Sequence, residues 1–264
     1  MKRNLLIVLI IASFSSLSLS AQEKKVEYII NKAFDAVGGR MLWENTKTYV
    51  AMIDAKSASN IHNPSNLFNQ YKYSSMIRLF KKSNEVYLDR FIKVDKTNVE
   101  DSFSTCINGE KFWSQMGHSE PYVYLEDASE RHSKFVNYGY PSTLLKADSI
   151  LYSDSLSSAE ENYEVLEVYI DGTISFFFIN NQNYLLEKSY ASTSIEAIAY
   201  YRDFREIQGR KVPYLQETLI NGVLGGSYHY TIVRFDIDLD DIYFKFPEHP
   251  PYNILAKPLD IEFD

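Results

Sequence analysis

The stretch Tyr201–Gly222, YRDFREIQGRKVPYLQETLING, decides the fold. It holds two turn signals, Gln208-Gly209 and Asn221-Gly222, between runs rich in Tyr, Val, Leu and Ile, and has almost no helical period. A residue followed by glycine between such runs tolerates the positive φ that reverses a chain in two residues. The stretch therefore reads as a strand, a tight turn, a second strand and the start of another hairpin. Pro213 has no N–H to give a ladder, which places it near a strand start or an edge. The faces are mixed. Tyr200 and Phe204 share one with Arg202 and Glu206, while Tyr201 and Ile207 share the other with Asp203 and Arg205.

The pattern continues on both sides. YEVLEVYI, TISFFFI, YLLEKSYA, AIAYYRDFREI, KVPYLQETLI and SYHYTIVRFDI are successive strands, with turns at Asp171-Gly172 and Asn180 to Asn183. Earlier, YKYSSMIRLF, EVYLDRFIKV, DSFSTCI and EKFWSQM form a second series, with a hairpin turn at Asn108-Gly109 and a polar loop from about Asp54 to Gln70 ahead of them. Around Pro141 to Leu156 alternation lapses, and a short lid helix with Leu144, Leu145 and Ile150 is expected, then a serine-rich loop, SDSLSSAEEN. Ile174, Phe176 and Phe178 make one wholly apolar strand face.

Near the start, EKKVEYIINKAFDAVGG spaces Val26, Ile29, Ile30, Ala33, Phe34 and Val37 three and four residues apart, one apolar stripe on a helix. Gly38 and Gly39 end it, because glycine accepts the left-handed conformation that closes a helix. The stripe needs an apolar surface to cover. A mainly β (α+β) fold, with one curved antiparallel sheet and the helix laid over its greasy concave side, satisfies both elements. No repeat period and no linker divides the chain, so residues 22–264 read as one domain.

The ends and the composition bound the function. MKRNLLIVLIIASFSSLSLSAQ has two basic residues, an apolar run and then small residues, the pattern of a secretory signal peptide over residues 1–21, cleaved near Ser20 or Ala21. Serines interrupt the run before the ~20 apolar residues a membrane anchor needs. Cys106 is the only cysteine, so no intrachain disulfide can form and no cysteine follows the leader to receive a lipid. A soluble exported protein held by its core is expected. There are 27 basic and 35 acidic residues; setting aside Lys2 and Arg3 leaves 25 against 35, near −10. That balance argues against nucleic acid and against an anionic membrane surface.

Three segments resemble the LolA-like periplasmic proteins, which include the outer-membrane lipoprotein-sorting proteins of Bacteroidetes-type bacteria. They are the helix ending in AVGGRMLWENTKTY, the hairpin INGEKFW, and the long run DGTISFFFINNQNYLLEKSY with YRDFREIQGRKVPYLQETLING, ending in DIDLDDIYFKFP. The resemblance spans most of the mature chain as turn-and-aromatic patterns, with no catalytic signature. It implies a half-open antiparallel β-barrel of the LolA/LolB type, with the N-terminal helix and a short lid helix on its concave face. It also implies a periplasmic place and a cavity for a hydrophobic ligand, a lipid acyl chain or lipoprotein, in outer-membrane lipoprotein or lipid trafficking. Partners would then be acyl chains and lipoprotein machinery of the outer or inner membrane. The family's lipid-contacting arginine does not align to one position, and the Asn/Ser-rich loop and the tail HPPYNILAKPLDIEFD depart from the pattern.

The candidate cavity wall is Ile174, Phe176 and Phe178, with Tyr200 and Phe204. A dry, filled core fits the same residues, and sequence carries no volume. Chemistry finds little support. His62, His118, His132, His229 and His249 are scattered, and neither a Gly-x-Ser-x-Gly elbow nor a phosphate-cradling glycine loop is present. Asp236, Asp238 and Asp240 in FDIDLDD fail as a calcium loop, since Asp241 and Pro247 stand where glycine and glutamate are needed, so a strand with Ile237 and Leu239 inward is expected there. Asp203 and Glu206 point to opposite strand faces and read as partners of Arg202 and Arg205 rather than an acid–base pair. Trp43 and Trp113 read as core or hairpin packing. No catalytic residue, metal or cofactor is expected. A lipid carrier is the first reading; an envelope regulatory or protein-interaction module of the same fold is the second, and an enzyme with an unfamiliar site the third.

Overall fold

The computed structural model describes residues 21–57, 75–82, 86–92, 102–107, 112–116, 120–123, 141–170, 172–192, 196–246 and 248. The leader ahead of residue 21, the Asn108-Gly109 turn, most of the early polar loop, four of the five histidines and the tail after 248 lie outside them.

Among the described residues, thirteen strands form one antiparallel sheet. In chain order they are β1 (Thr48–Ser57), β2 (Ser75–Lys81), β3 (Val86–Ile92), β4 (Ser102–Ile107), β5 (Phe112–Met116), β6 (Tyr122–Val123), β7 (Ser149–Tyr152), β8 (Tyr163–Ile170), β9 (Thr173–Asn180), β10 (Leu186–Ser192), β11 (Glu196–Ile207), β12 (Arg210–Ile220) and β13 (Val223–Phe235). The order across the sheet is β6-β5-β4-β3-β2-β1-β13-β12-β11-β10-β9-β8-β7. Two meanders thus join where β1 pairs with β13, and among the described residues the ends β6 and β7 are not paired with each other, so the curved sheet is not closed there. Register shifts at Met52/Ile53, Leu186/Lys188 and Thr218/Leu219 are bulges, which add twist and bend the strands.

The stretch that opened the sequence reading forms the hairpin β11–β12 and the turn into β13. Gln208 (φ 50°) and Gly209 (φ 77°) both take positive φ, the two-residue turn whose twist matches the strands it joins. The Gln208 side chain extends the ladder one step: its Nε2 donates to the Phe235 carbonyl at 2.9 Å and its Oε1 accepts from the Phe235 N–H at 2.7 Å. Pro213 sits near the start of β12, before the pairing of β12 with β13 begins at Leu215–His229.

Helix α1 (21–36) lies on the concave face. All six residues of its stripe are buried, with Ile29, Ala33, Phe34 and Val37 at 1% exposure or less. They join one core with Tyr49, Ile53, Met76, Phe80, Ile107, Leu166, Phe177, Ile179, Val212, Val233 and Phe235. Gly38 closes the helix against the β11–β12 turn so tightly that a Cβ there would stand 2.1 Å from the Gly209 carbonyl oxygen. The freed Val37 carbonyl is met twice, by the Lys211 N–H at 3.1 Å and by Trp43 Nε1 at 3.0 Å. Trp43 belongs to α2 (Arg40–Glu44) and packs edge-on to Phe235, so it is a core residue.

The lid helix expected near Pro141 is α3 (Ser142–Lys146), with Leu144 buried in the same core and Leu145 packed against it. Ile150 falls in β7 instead. The serine-rich segment holds a short helix, α4 (Asp154–Ala159), where a loop was expected; it lies against β8, and Ser157 Oγ accepts from the Val165 N–H.

The segment after β13 corrects another expectation. FDIDLDD is not a strand: it leaves the sheet after Phe235, turns at Asp236 (φ 56°), and ends in a 3-10 turn, Asp241–Phe244, capped by Asp240. Its apolar alternation is as expected, because Leu239 and Phe244 are buried and Ile237 packs beside them. They form a second core on the other side of the sheet with Val50, Ile77, Leu79, Cys106 and Trp113. Thr48 Oγ1 donates to the Ile237 carbonyl and Lys81 Nζ to that of Leu239, which pins this strap. Strands β1, β2, β4 and β5 therefore carry buried core residues on both faces.

Candidate functional site

Strand alternation and register decide which residues face α1. On β9, Phe177 and Ile179 belong to the core under the helix, so Ser175 shares their face and Ile174, Phe176 and Phe178 lie on the opposite one. Pairing carries each face across the sheet. Phe178 pairs with Lys188, Lys188 with Tyr200 and Tyr200 with Glu217, which puts Tyr200 on the outer face too. There Lys188 Nζ stands 4.1 Å from the Phe178 ring centre, Tyr163 meets that ring edge-on, and Phe176 stacks on Tyr190.

Of the five sequence candidates, only Phe204 packs against the helix-side core. Asp203, next to it, takes a left-handed φ of 52°, and β11–β12 pairing passes from Arg202–Leu215 to Phe204–Pro213 across it. The period-two rule that grouped Phe204 with Tyr200 is broken at that residue. Asp203 is held by Arg205, which depresses its carboxyl pKa, and Arg202 pairs across strands with Glu217 at 3.0 Å. These carboxylates are ion-pair partners at the surface.

The concave face itself divides in two. Toward β1 and β13 it is filled by the α1 stripe and large side chains. Over β9–β12 it is floored by two cross-strand rows of mostly small, uncharged residues: Ser175, Ala191 and Ala197 in one, ending on β12 at Ile220, and Ser189, Ala199, Thr218 and Gly226 in the next, beside Phe177. All but Gly226 are half-exposed. Tyr201, Gln216 and Tyr228 make the following row, with Tyr201 and Tyr228 packed against the core margin. Ser189 Oγ and Tyr201 Oη are 3.1 Å apart, and burial pushes the Tyr201 phenol pKa up. The floor is flanked by the Phe177 ring on one side and by the Tyr201 and Tyr228 rings and the Ser189–Tyr201 hydroxyl pair on the other.

Sequence reading missed this floor because small residues carry no hydrophobic signal; the only cue was the inverse of the apolar stripe Phe176–Tyr190–Ile198–Leu219. On the other half of the sheet, Arg78 of β2 pairs with Ala51, shares the concave face with Met76 and Phe80, and is half-buried and not free of partners. It too was not singled out. No cluster of three His, Cys, Asp or Glu able to hold a metal exists among the described residues, and no described helix is long and apolar enough to cross a membrane.

No family model and no curated protein matches this chain. Solved structures do resemble it in the path of the chain. A LolA superfamily protein, NE2245 from Nitrosomonas europaea, is 14% identical with a TM-score of 0.49 over 83% of this chain and 97% of its own. A DUF1329 family protein from Desulfovibrio piger is 9% identical, TM-score 0.48, over 83% and 97%. A putative outer membrane lipoprotein-sorting protein domain from Vibrio parahaemolyticus is 11% identical, TM-score 0.42, over 84% and 96%.

Proposed function

We propose that this chain is an exported, non-enzymatic carrier that holds an apolar ligand, a lipid acyl chain or lipoprotein, on the concave face of its sheet. The observation that carries the reading is the half-exposed floor of Ser175, Ser189, Ala191, Ala197, Ala199 and Thr218 beside the aromatic core, uncharged throughout. An alkyl chain laid there gains about 25 cal/mol per Å² of apolar area removed from water, a graded energy that permits release as well as capture. The leader read from the sequence supports a periplasmic place, and lipoprotein-handling machinery of the envelope is the partner class such a carrier needs.

The test is native mass spectrometry of the mature protein from its own cell envelope, with extraction of any bound species. Co-purified acylated molecules that are lost in a folded Ala199→Trp variant and kept in Phe176→Asp support the reading and its face. Protein without bound mass from several growth conditions overturns it. A second reading, a protein-interaction module, is favoured by the outer row Phe176, Tyr190, Ile198, Leu219 and Leu224, which pair in sequence across five strands and are all partly or fully exposed. Ligand-free protein that crosslinks a partner through that row decides for it.

A further inference from the structure

Away from the concave face, where the Gly38-Gly39 loop meets α2 and the β11–β12 turn, lies an open-mouthed pocket of about 640 Å³. Gly38, Gly39, Met41 and Leu42 supply its apolar surface, and Arg40, Asn45, Arg210 and Asp236 its polar groups. That volume falls within the few hundred to ~1,000 Å³ of small-molecule sites, which are commonly apolar with a few converging polar groups.

Arg210 is the unusual member. It is 2% exposed, and its three protein acceptors all fall on one nitrogen: Nη2 donates to the Leu42 carbonyl at 2.9 Å, to Thr46 Oγ1 at 3.0 Å and to Asp236 Oδ2 at 2.8 Å. Nε is buried with no partner. A guanidinium carries five N–H groups, so those on Nε and Nη1 have no protein acceptor among the described residues, and the group's flat face rests 4.5 Å from the Phe235 ring. Asp236 does not offset all the charge around it. Its other oxygen accepts from the Lys47 N–H at 2.7 Å, and Arg40, whose guanidinium rests 4.8 Å over the Phe34 ring, adds a second cationic residue to the pocket lining. Two arginines against one aspartate leave the lining one positive charge in excess. A Cβ built on Gly39 meets nothing within 4 Å, so the backbone there is open to an approaching group.

We infer that this pocket binds a small organic carboxylate, its anionic end against Arg210 and Arg40 and its short apolar part against Met41 and Leu42. A planar carboxylate matches the guanidinium fork, and the apolar walls favour it over a bare inorganic anion. The site is separate from the acyl-binding floor and stands or falls independently of it.

The experiment is amide and arginine side-chain NMR of the full mature chain titrated with butyrate, and in parallel with inorganic phosphate. Saturable shifts confined to Gly38–Asn45, Arg210 and Asp236 with butyrate are expected, weakened about tenfold by Arg40→Gln, the usual scale for one charge-assisted hydrogen bond. Arg210→Lys is the direct variant but also removes bonds to Leu42 and Thr46; Arg40 is exposed, which keeps the test sound if the Arg210 variant fails to fold. Absence of localised shifts, or shifts unaltered by Arg40→Gln, overturns the site. Binding of phosphate without butyrate overturns the ligand class.

Discussion

Gly38 shows how one residue governs the placement of α1. Its φ of 109° and the 2.1 Å approach of any Cβ to the Gly209 carbonyl oxygen make alanine there both strained and obstructed. Gly38→Ala is expected to cost at least about 1–3 kcal/mol, read as a lower midpoint in urea unfolding at unchanged slope. The tyrosines set a pH limit. Burial is the leading cause that pushes the phenols of Tyr201, Tyr163 and Tyr214 above 10.0. The folded state then holds these protons more tightly than the unfolded chain, so their contribution is complete below the unfolded value and is lost as pH rises through the folded ones. Stability should fall with pH from about 10 upward. Tyr201→Phe should flatten that slope in chemical unfolding followed from pH 8 to 11.

At the scale of elements, α1 and the β11–β12 hairpin behave as one unit, because Val37, Gly38, Gly209, Lys211 and Trp43 meet at a single joint. Phe34 is the deepest aromatic of the helix at 1% exposure. Phe34→Ala is expected to cost about 3–5 kcal/mol in equilibrium unfolding, the range for an emptied aromatic site. A cost under about 1 kcal/mol would mean that the helix is not docked as described. The helix was legible in the sequence down to its six buried positions and its glycine stop, since a 3.6-residue stripe on a helix has one way to be buried. The strands were legible for the same kind of reason. The face of β9 that meets the helix was not, because TISFFFIN is apolar at Ile174, Phe176 and Phe178 and again at Phe177 and Ile179.

Across the whole molecule, the strap after β13 covers the outer face of β1, β2, β4 and β5 and leaves the row Phe176–Tyr190–Ile198–Leu219 uncovered. Cys106 lies beneath it, with its Sγ 3.7 Å from the Phe244 carbonyl, and burial pushes its thiol pKa far up. Native protein should therefore resist thiol reagents at pH 8. Leu239→Ala, which loosens the strap at a cost of about 2–5 kcal/mol, should speed labelling of Cys106 well before global unfolding; equal rates in both proteins would count against the strap as a separable cover. The chain by itself determined a sheet of meandering strands, the long covering helix with its stripe, and hairpins at Gln208-Gly209 and Asn221-Gly222, because these follow from local periodicity and backbone sterics. Only tertiary structure decided that Phe176 and Phe178 face outward, that a floor of serines and alanines faces the helix side, and that Arg210 is buried with donors to spare. Those depend on register, bulges and long-range packing, where a shift of one residue exchanges the two faces of a strand.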